Sequence, residues 1–295
     1  EQSAFYDQVI ELYFTDNPES AERFKGPIYK PYRYEGDETG EAKLSRQEQI
    51  DRLNQDNLYD ILRRQMVKRF ESSFGAFRQS IVNIRDSYET IKEFIKSSNG
   101  RYVLNRKLIN KVDGDDPDMI DELLREFAEK NKDKESKKNR IYEVNKFAFK
   151  DQFYEDIQSD ICLFNKMIAE IDTLALVEND PKRFALLQNV ETSLHATPNK
   201  GEPAPKLVIF SEYADTVKYL EPALKDHFPG RVLVITGSIG KQHLDEINTN
   251  FDAAYPKAKQ RDNYDVLLAT DKLSEGFNLN RAAMVINYDI PWNPV

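Results

Sequence analysis

Eight apolar residues at alternating steps of four and three, Phe70, Phe74, Phe77, Ile81, Ile84, Tyr88, Ile91 and Ile95, constrain this chain more than any other feature. That spacing averages close to the helical period and is incompatible with the two-residue period of a strand. It predicts one long helix over about 58–96 with a single apolar seam. A second seam follows at Phe153, Ile157, Ile161, Phe164, Ile168, Ile171 and Ala175. Two stripes of similar length bury each other best as an antiparallel helical hairpin. Ser97-Ser98-Asn99-Gly100 offers the first helix a glycine terminator. Between the seams, Pro117-Asp118 opens a shorter amphipathic helix, and 130–140 is a charged surface segment. Upstream, 4–14 reads as a helix, 28–34 as an edge strand interrupted by Pro31, and 35–41 as an exposed loop.

From about residue 180 the period changes. Four short β-branched or apolar runs, at 207–210, 232–235, 266–269 and 284–287, read as buried strands. Helical stretches at 181–194, 214–227 and 242–254 accompany them, and 197–205 is a breaker-rich loop. The fold class expected is therefore α/β: a parallel sheet with helices on its faces, preceded by a mostly α-helical region. The division falls into a helical domain at 1–178 and a sheet domain at 179–295, in keeping with a 295-residue length.

Charge narrows the function. The chain carries 42 basic and 51 acidic residues, and 179–295 holds 13 and 15 of them, so neither part binds nucleic acid by bulk charge. A local track is still open: Arg63, Arg64, Lys68, Arg69, Arg78 and Arg85 form a basic stripe, read either as a DNA-backbone contact or as a helix face paired with carboxylates. No apolar stretch approaches the ~18 residues of a membrane helix, so no membrane partner is expected. One cysteine, Cys162, fits a reducing, cytoplasmic compartment, and is read as a packing residue. The 113–118 run DGDDPD lacks the glycine that a calcium loop needs at its sixth position, and the three histidines have no zinc spacing, so no metal site is expected. Ligand chemistry in an open parallel sheet belongs at the carboxyl ends of its strands. There lie Ser211-Glu212, Thr236-Gly237-Ser238, Thr270-Asp271 and Asp289.

Those strand ends carry a resemblance. KLVIFSEYADTVKYL (206–220), VITGS (234–238) and DVLLATDKLSEGFNLNRAAMVINYDIPWNP (265–294) resemble motif IV, the motif after it, and motif V of superfamily-two helicases and translocases. These belong to the second RecA-like lobe, and the YDIPWNP ending is similar to Swi/Snf-type DNA translocases and their bacterial relatives. DPKRFALL (180–187) looks like the helix that opens this lobe, and the helical region like the protrusion such translocases insert between lobes. The resemblance implies a C-terminal motor lobe, truncated before motif VI, of an ATP-dependent DNA translocase or helicase. It implies that Ser211, Thr236, Gly237, Ser238, Thr270 and Asp271 grip the backbone of duplex DNA. It places Glu275, Gly276 and Asn278 on the nucleotide side, bonding a ribose or bracing the loop. ATP and Mg²⁺ are implied for the full-length enzyme, held mainly by a missing first lobe with its P-loop, and none is expected on this segment alone. No catalytic residue is expected in the segment. Leu244 stands where the family often carries an arginine. Two other readings stay open here: a non-catalytic helical interaction module on a RecA-like remnant, and an RNA helicase lobe.

Overall fold

The computed structural model describes residues 2–15, 17, 20, 22–36, 45–104, 140–198, 204–237, 240–273 and 277–289. The helix expected after Pro117, the DGDDPD run, nearly all of 130–140 and the last six residues of the chain lie outside these. The chain forms two compact units, 1–70 with 77–176, and 71–76 with 177–295.

In the helical unit, α1 (Gln2–Gln8) runs into a π-helical turn at Val9–Tyr13. The long helices are α2 (Arg46–Ser72), α3 (Phe74–Ser97) and α4 (Lys150–Thr173). Strands β1 (Arg101–Leu104) and β2 (Arg140–Glu143) pair antiparallel between α3 and α4. Contacts fix the direction of the hairpin. Along α3, Arg78 pairs with Asp172 at 2.7 Å, Arg85 donates to Asn165, Tyr88 to Asp160 and Lys92 to Gln158. One number rises as the other falls, so α3 and α4 are antiparallel. Phe77, Ile81, Tyr88, Ile91 and Ile95 of α3 and Phe153, Ile157, Phe164 and Ile171 of α4 are all fully buried, and Tyr88 meets Phe164 edge to face. Each such residue contributes about 1.5–3 kcal/mol by leaving water.

Four expectations are corrected here. The helix over 58–96 is two helices, broken at Ser73, whose hydroxyl accepts the Ala76 N–H at 3.1 Å and so caps α3. The seam spans the break because Phe70 and Phe77 still meet edge to face, 4.9 Å between ring centres. The edge strand at 28–34 is instead a 3₁₀ turn, Pro31–Tyr34, with proline in the first turn, where its missing N–H costs nothing. The helix at 4–14 is α only to Gln8. Cys162 is exposed on α4 rather than packed. The terminator holds: Gly100, at φ +88°, donates its N–H to the Ile95 carbonyl at 2.8 Å.

The second unit is built on four parallel strands, β3 (Leu207–Ser211), β4 (Val232–Ile235), β5 (Val266–Thr270) and β6 (Met284–Asn287), in the order β4-β5-β3-β6. Helices α5 (Pro181–Leu194) and α6 (Ala214–His227) cover one face, where Leu207, Ile209, Val266 and Leu268 pack on Val190, Val217, Leu220 and Leu224. Helix α7 (Lys241–Phe251) covers the other, where Val208, Leu233 and Leu267 pack on Ile247 and Phe251. Side chains alternate faces along a strand, so burial on both faces explains the unbroken apolar runs of β3, β4 and β5. The run at 284–287 corrects the expectation of a buried strand: β6 pairs only with β3 among the described strands, and Met284 and Val285 are exposed. The unit is an α/β fold of RecA-like type preceded by a helical region. The six residues 71–76 belong to it: the Ser72 hydroxyl lies 2.7 Å from that of Thr216, and Gly75 is flush against the Tyr219 ring.

Candidate functional site

Parallel register brings the carboxyl ends of the strands into one row. Ser211 pairs with Thr270, and Ile235, one residue before Thr236, pairs with Ala269. On the other side of β3, Phe210 pairs with Asn287, two residues before Asp289. The row therefore reads Thr236, Thr270, Ser211, Asp289 across the sheet, although the sequence separates them by tens of residues.

The row has a fixed half and an open half. Asp289 is the fixed point. One carboxylate oxygen accepts the Ser211 hydroxyl at 2.5 Å and the Glu212 N–H at 2.9 Å, tying the end of β3 to that of β6. Its other oxygen faces the Lys182 ammonium at 3.6 Å. Lys182, in the first turn of α5, also donates to the Glu71 and Ser72 carbonyls and lies 4.2 Å over the Tyr288 ring. Burial holds the Lys182 ammonium below its ordinary value, with Asp289 and Asp180 opposing that shift. Asp180 caps α5 by accepting the Lys182 N–H at 2.9 Å and takes the Tyr219 hydroxyl at 3.0 Å. Sequence reading placed Asp289 at a strand end but gave it no role; its position after the fourth apolar run was the available signal.

Ser211 is 1% exposed, and its oxygen also accepts the Tyr213 N–H at 3.3 Å. Its hydroxyl is thus engaged on both sides within the fold. Thr270 is buried, and Asp271 after it is half-buried, its carboxyl raised by burial and then by the charge of Asp289. Thr236 is half-buried and Gly237 exposed at φ +73° with open space where a side chain would go. The left-handed backbone, not crowding, favours glycine there. Asn278 donates its amide to Asp252 at 3.0 Å, a loop brace. Ser238, Glu275 and Gly276 lie outside the described residues.

The basic stripe divides: Arg63 and Arg69 are buried, Lys68, Arg78 and Arg85 are half-buried, and Arg64 is exposed. Arg69 is 1% exposed and donates to Ser80, Arg63 caps the Phe14 carbonyl, and Arg78 pairs with Asp172. Among the described residues, no group of three or more His, Cys, Asp or Glu is placed to hold a metal ion. No described helix is long and apolar enough to cross a membrane.

Small hydroxyls, a glycine turn and backbone N–H groups can hold phosphate oxygens without reading bases. Residues 185–295 match the helicase conserved C-terminal domain, which supports a helicase C-terminal lobe over this part of the chain. Lobes of this family generally engage nucleic acid and a partner lobe, and work with ATP and Mg²⁺. None of the curated proteins matches the chain.

Proposed function

We propose that this chain carries the C-terminal motor lobe of an ATP-dependent DNA translocase or helicase. The observation that carries the reading is the row of Thr236, Gly237 and Thr270 across adjacent strand ends of a sheet that matches the helicase C-terminal domain. In this reading Thr236, Gly237, Ser238, Thr270 and Asp271 line the backbone of duplex DNA. Ser211 serves the same grip from behind, holding the Glu212 turn through Asp289. The N-terminus of α7 follows the Thr236-Gly237 turn closely enough to favour a phosphate there. Glu275, Gly276 and Asn278 form the side toward ATP. The likeness of 265–294 to Swi/Snf-type proteins supports duplex DNA over RNA, and the single free thiol of Cys162 supports a cytoplasmic setting.

ATP and Mg²⁺ belong, in this reading, to a cleft completed by a first lobe that brings the phosphate cradle and the metal carboxylate. The chain's own contribution is to hold the backbone and pass lobe movement to it. The helical region, 1–178, is the protrusion of the motor. Phosphate release with saturating duplex DNA tests this. The 295-residue chain alone stays at background, and the full-length protein is stimulated by DNA. DNA-stimulated turnover by the chain alone would overturn the reading.

A further inference from the structure

The helical unit holds a pocket that the motor reading does not use. About 200 Å³ in volume, it is lined by Arg23, Lys30, Arg33, Asp56, Tyr59 and Asp60. Its helical wall comes from one face of α2, since Asp56, Tyr59 and Asp60 stand at helical spacings of three and four. Its other wall is the 23–33 segment, seated by two features. The Tyr59 hydroxyl donates to the Phe24 carbonyl at 2.6 Å. Gly26, at φ +65°, lies so close to the Tyr59 ring that an added Cβ would sit 2.3 Å from it.

The charges in this pocket do not balance. Arg33 and Asp56 pair at 2.8 Å, and Asp56 also accepts the Tyr32 hydroxyl, so that pair is spent internally. Lys30 is 6% exposed, with its ammonium 3.3 Å from the centre of the Tyr59 ring. Neither Lys30 nor Arg23 makes an ion pair or side-chain hydrogen bond with another described residue. Asp60 lines the pocket with these two cations, and Asp160, whose charge also reaches Lys30, is spent on the Lys25 and Gly26 N–H groups and the Tyr88 hydroxyl. An aromatic face steadies a cation electrostatically but accepts none of its N–H bonds in the way an oxygen does. Burial, and then the charges of Arg33 and Arg23, lower the Lys30 ammonium to about 8. A buried lysine with unused donors, beside an arginine with unused donors, is what an entering anion would complete.

We propose that this pocket binds a small oxyanion of the phosphate class, free or as the 5′-phosphate of a nucleotide, between Lys30 and Arg23. Phosphate's several acceptor oxygens suit a guanidinium fork and an ammonium at once. The site stands independently of the strand-end row and of the motor reading.

Calorimetric titration of the purified chain in phosphate-free, low-salt buffer tests it, with inorganic phosphate in one arm and thymidine 5′-monophosphate in the other. Saturable binding is expected, and the tighter arm identifies the source. Arg23→Gln should weaken binding about tenfold or more, the loss of a charge-assisted hydrogen bond. It should leave the ligand-free melting temperature unchanged, because Arg23 supports no other described side chain. Lys30→Met should weaken binding at least as much, and if that variant does not fold, Arg23→Gln decides alone. Absence of saturable binding in both arms, or Arg23→Gln binding as tightly as wild type, would overturn the proposal.

Discussion

Asp160 in the helical unit and Asp289 in the sheet unit are both carboxylates drawn out of water, yet they are placed differently. Asp160 lies in the middle of α4, fully buried, accepting the Lys25 and Gly26 N–H groups and the Tyr88 hydroxyl. Four residues earlier, Asp156 takes the Lys25 ammonium at 2.8 Å and the Tyr34 hydroxyl at 2.7 Å. Together they pin the 24–34 segment onto a core of aromatic rings, among them Phe24, Tyr88 and Phe164. Asp289 instead sits at the rim of an aliphatic sheet and joins strand ends. In the first unit buried polar groups hold the fold together. In the second, Thr270 and Asp289 gather at the carboxyl ends of the strands, where they can face a ligand. Core mutations should therefore cost stability in the first unit, and rim mutations should cost function in the second.

The largest expected effect is Ile81→Asp. Ile81 has no exposed surface in the hairpin seam, and a carboxylate there has no partner. The loss should be about 4 kcal/mol or more, measured by urea unfolding. A variant melting at the wild-type temperature would mean the seam is not core.

Asp160→Ala comes next, leaving three donors without an acceptor. About 3 kcal/mol is expected, since each orphaned buried group costs on the order of 1–3 kcal/mol. Its pH dependence sharpens the comparison. Burial raises the Asp160 carboxyl from 3.8 to about 7, even though the Lys25 and Gly26 N–H groups and the Tyr88 hydroxyl oppose the shift. Folding therefore takes up a proton between about pH 4 and 7. The contribution of this group is greatest in acid, falls as pH rises to about 7, and is flat above. The melting-temperature gap between wild type and Asp160→Ala should narrow over that range. A gap that widened would make Asp160 a stabilising carboxylate instead.

Gly75→Ala should cost about 1–3 kcal/mol, because the added Cβ would lie 2.2 Å from the Tyr219 ring in the sheet unit. A Tyr219→Ala background should absorb most of that cost, which a double-mutant cycle reads directly.

Much of this could be read from residues alone. Strands buried on both faces become continuous apolar runs, and the bounds of α5 and α6 follow from Asp180-Pro181 and from the apolar spacing of Val217, Leu220 and Leu224. The break at Ser73 was hidden because the heptad spacing continues across it. Asp156, Asp160 and Arg69 were hidden because a polar residue in a helix carries no mark of which partner will bury it. The pairing of β1 with β2 joins segments some forty residues apart, beyond any local pattern. At the strand ends, Thr236 and Thr270 were legible from position, whereas the commitment of Ser211 to Asp289 depends on register that only the folded sheet supplies.

The claim at the centre of this account is that the strand-end row holds a nucleic-acid backbone. Duplex-DNA binding by fluorescence anisotropy, titrated with salt, tests it on wild type and Thr270→Ala of the full-length protein, with the melting temperature as control. The account predicts that Thr270→Ala folds normally and loses about tenfold in affinity on unrelated duplex sequences alike, as for one charge-assisted hydrogen bond. It also predicts an unchanged salt slope, because threonine neutralises no phosphate charge. Affinity equal to wild type at every salt concentration would contradict it and leave Thr270 a structural end to its strand.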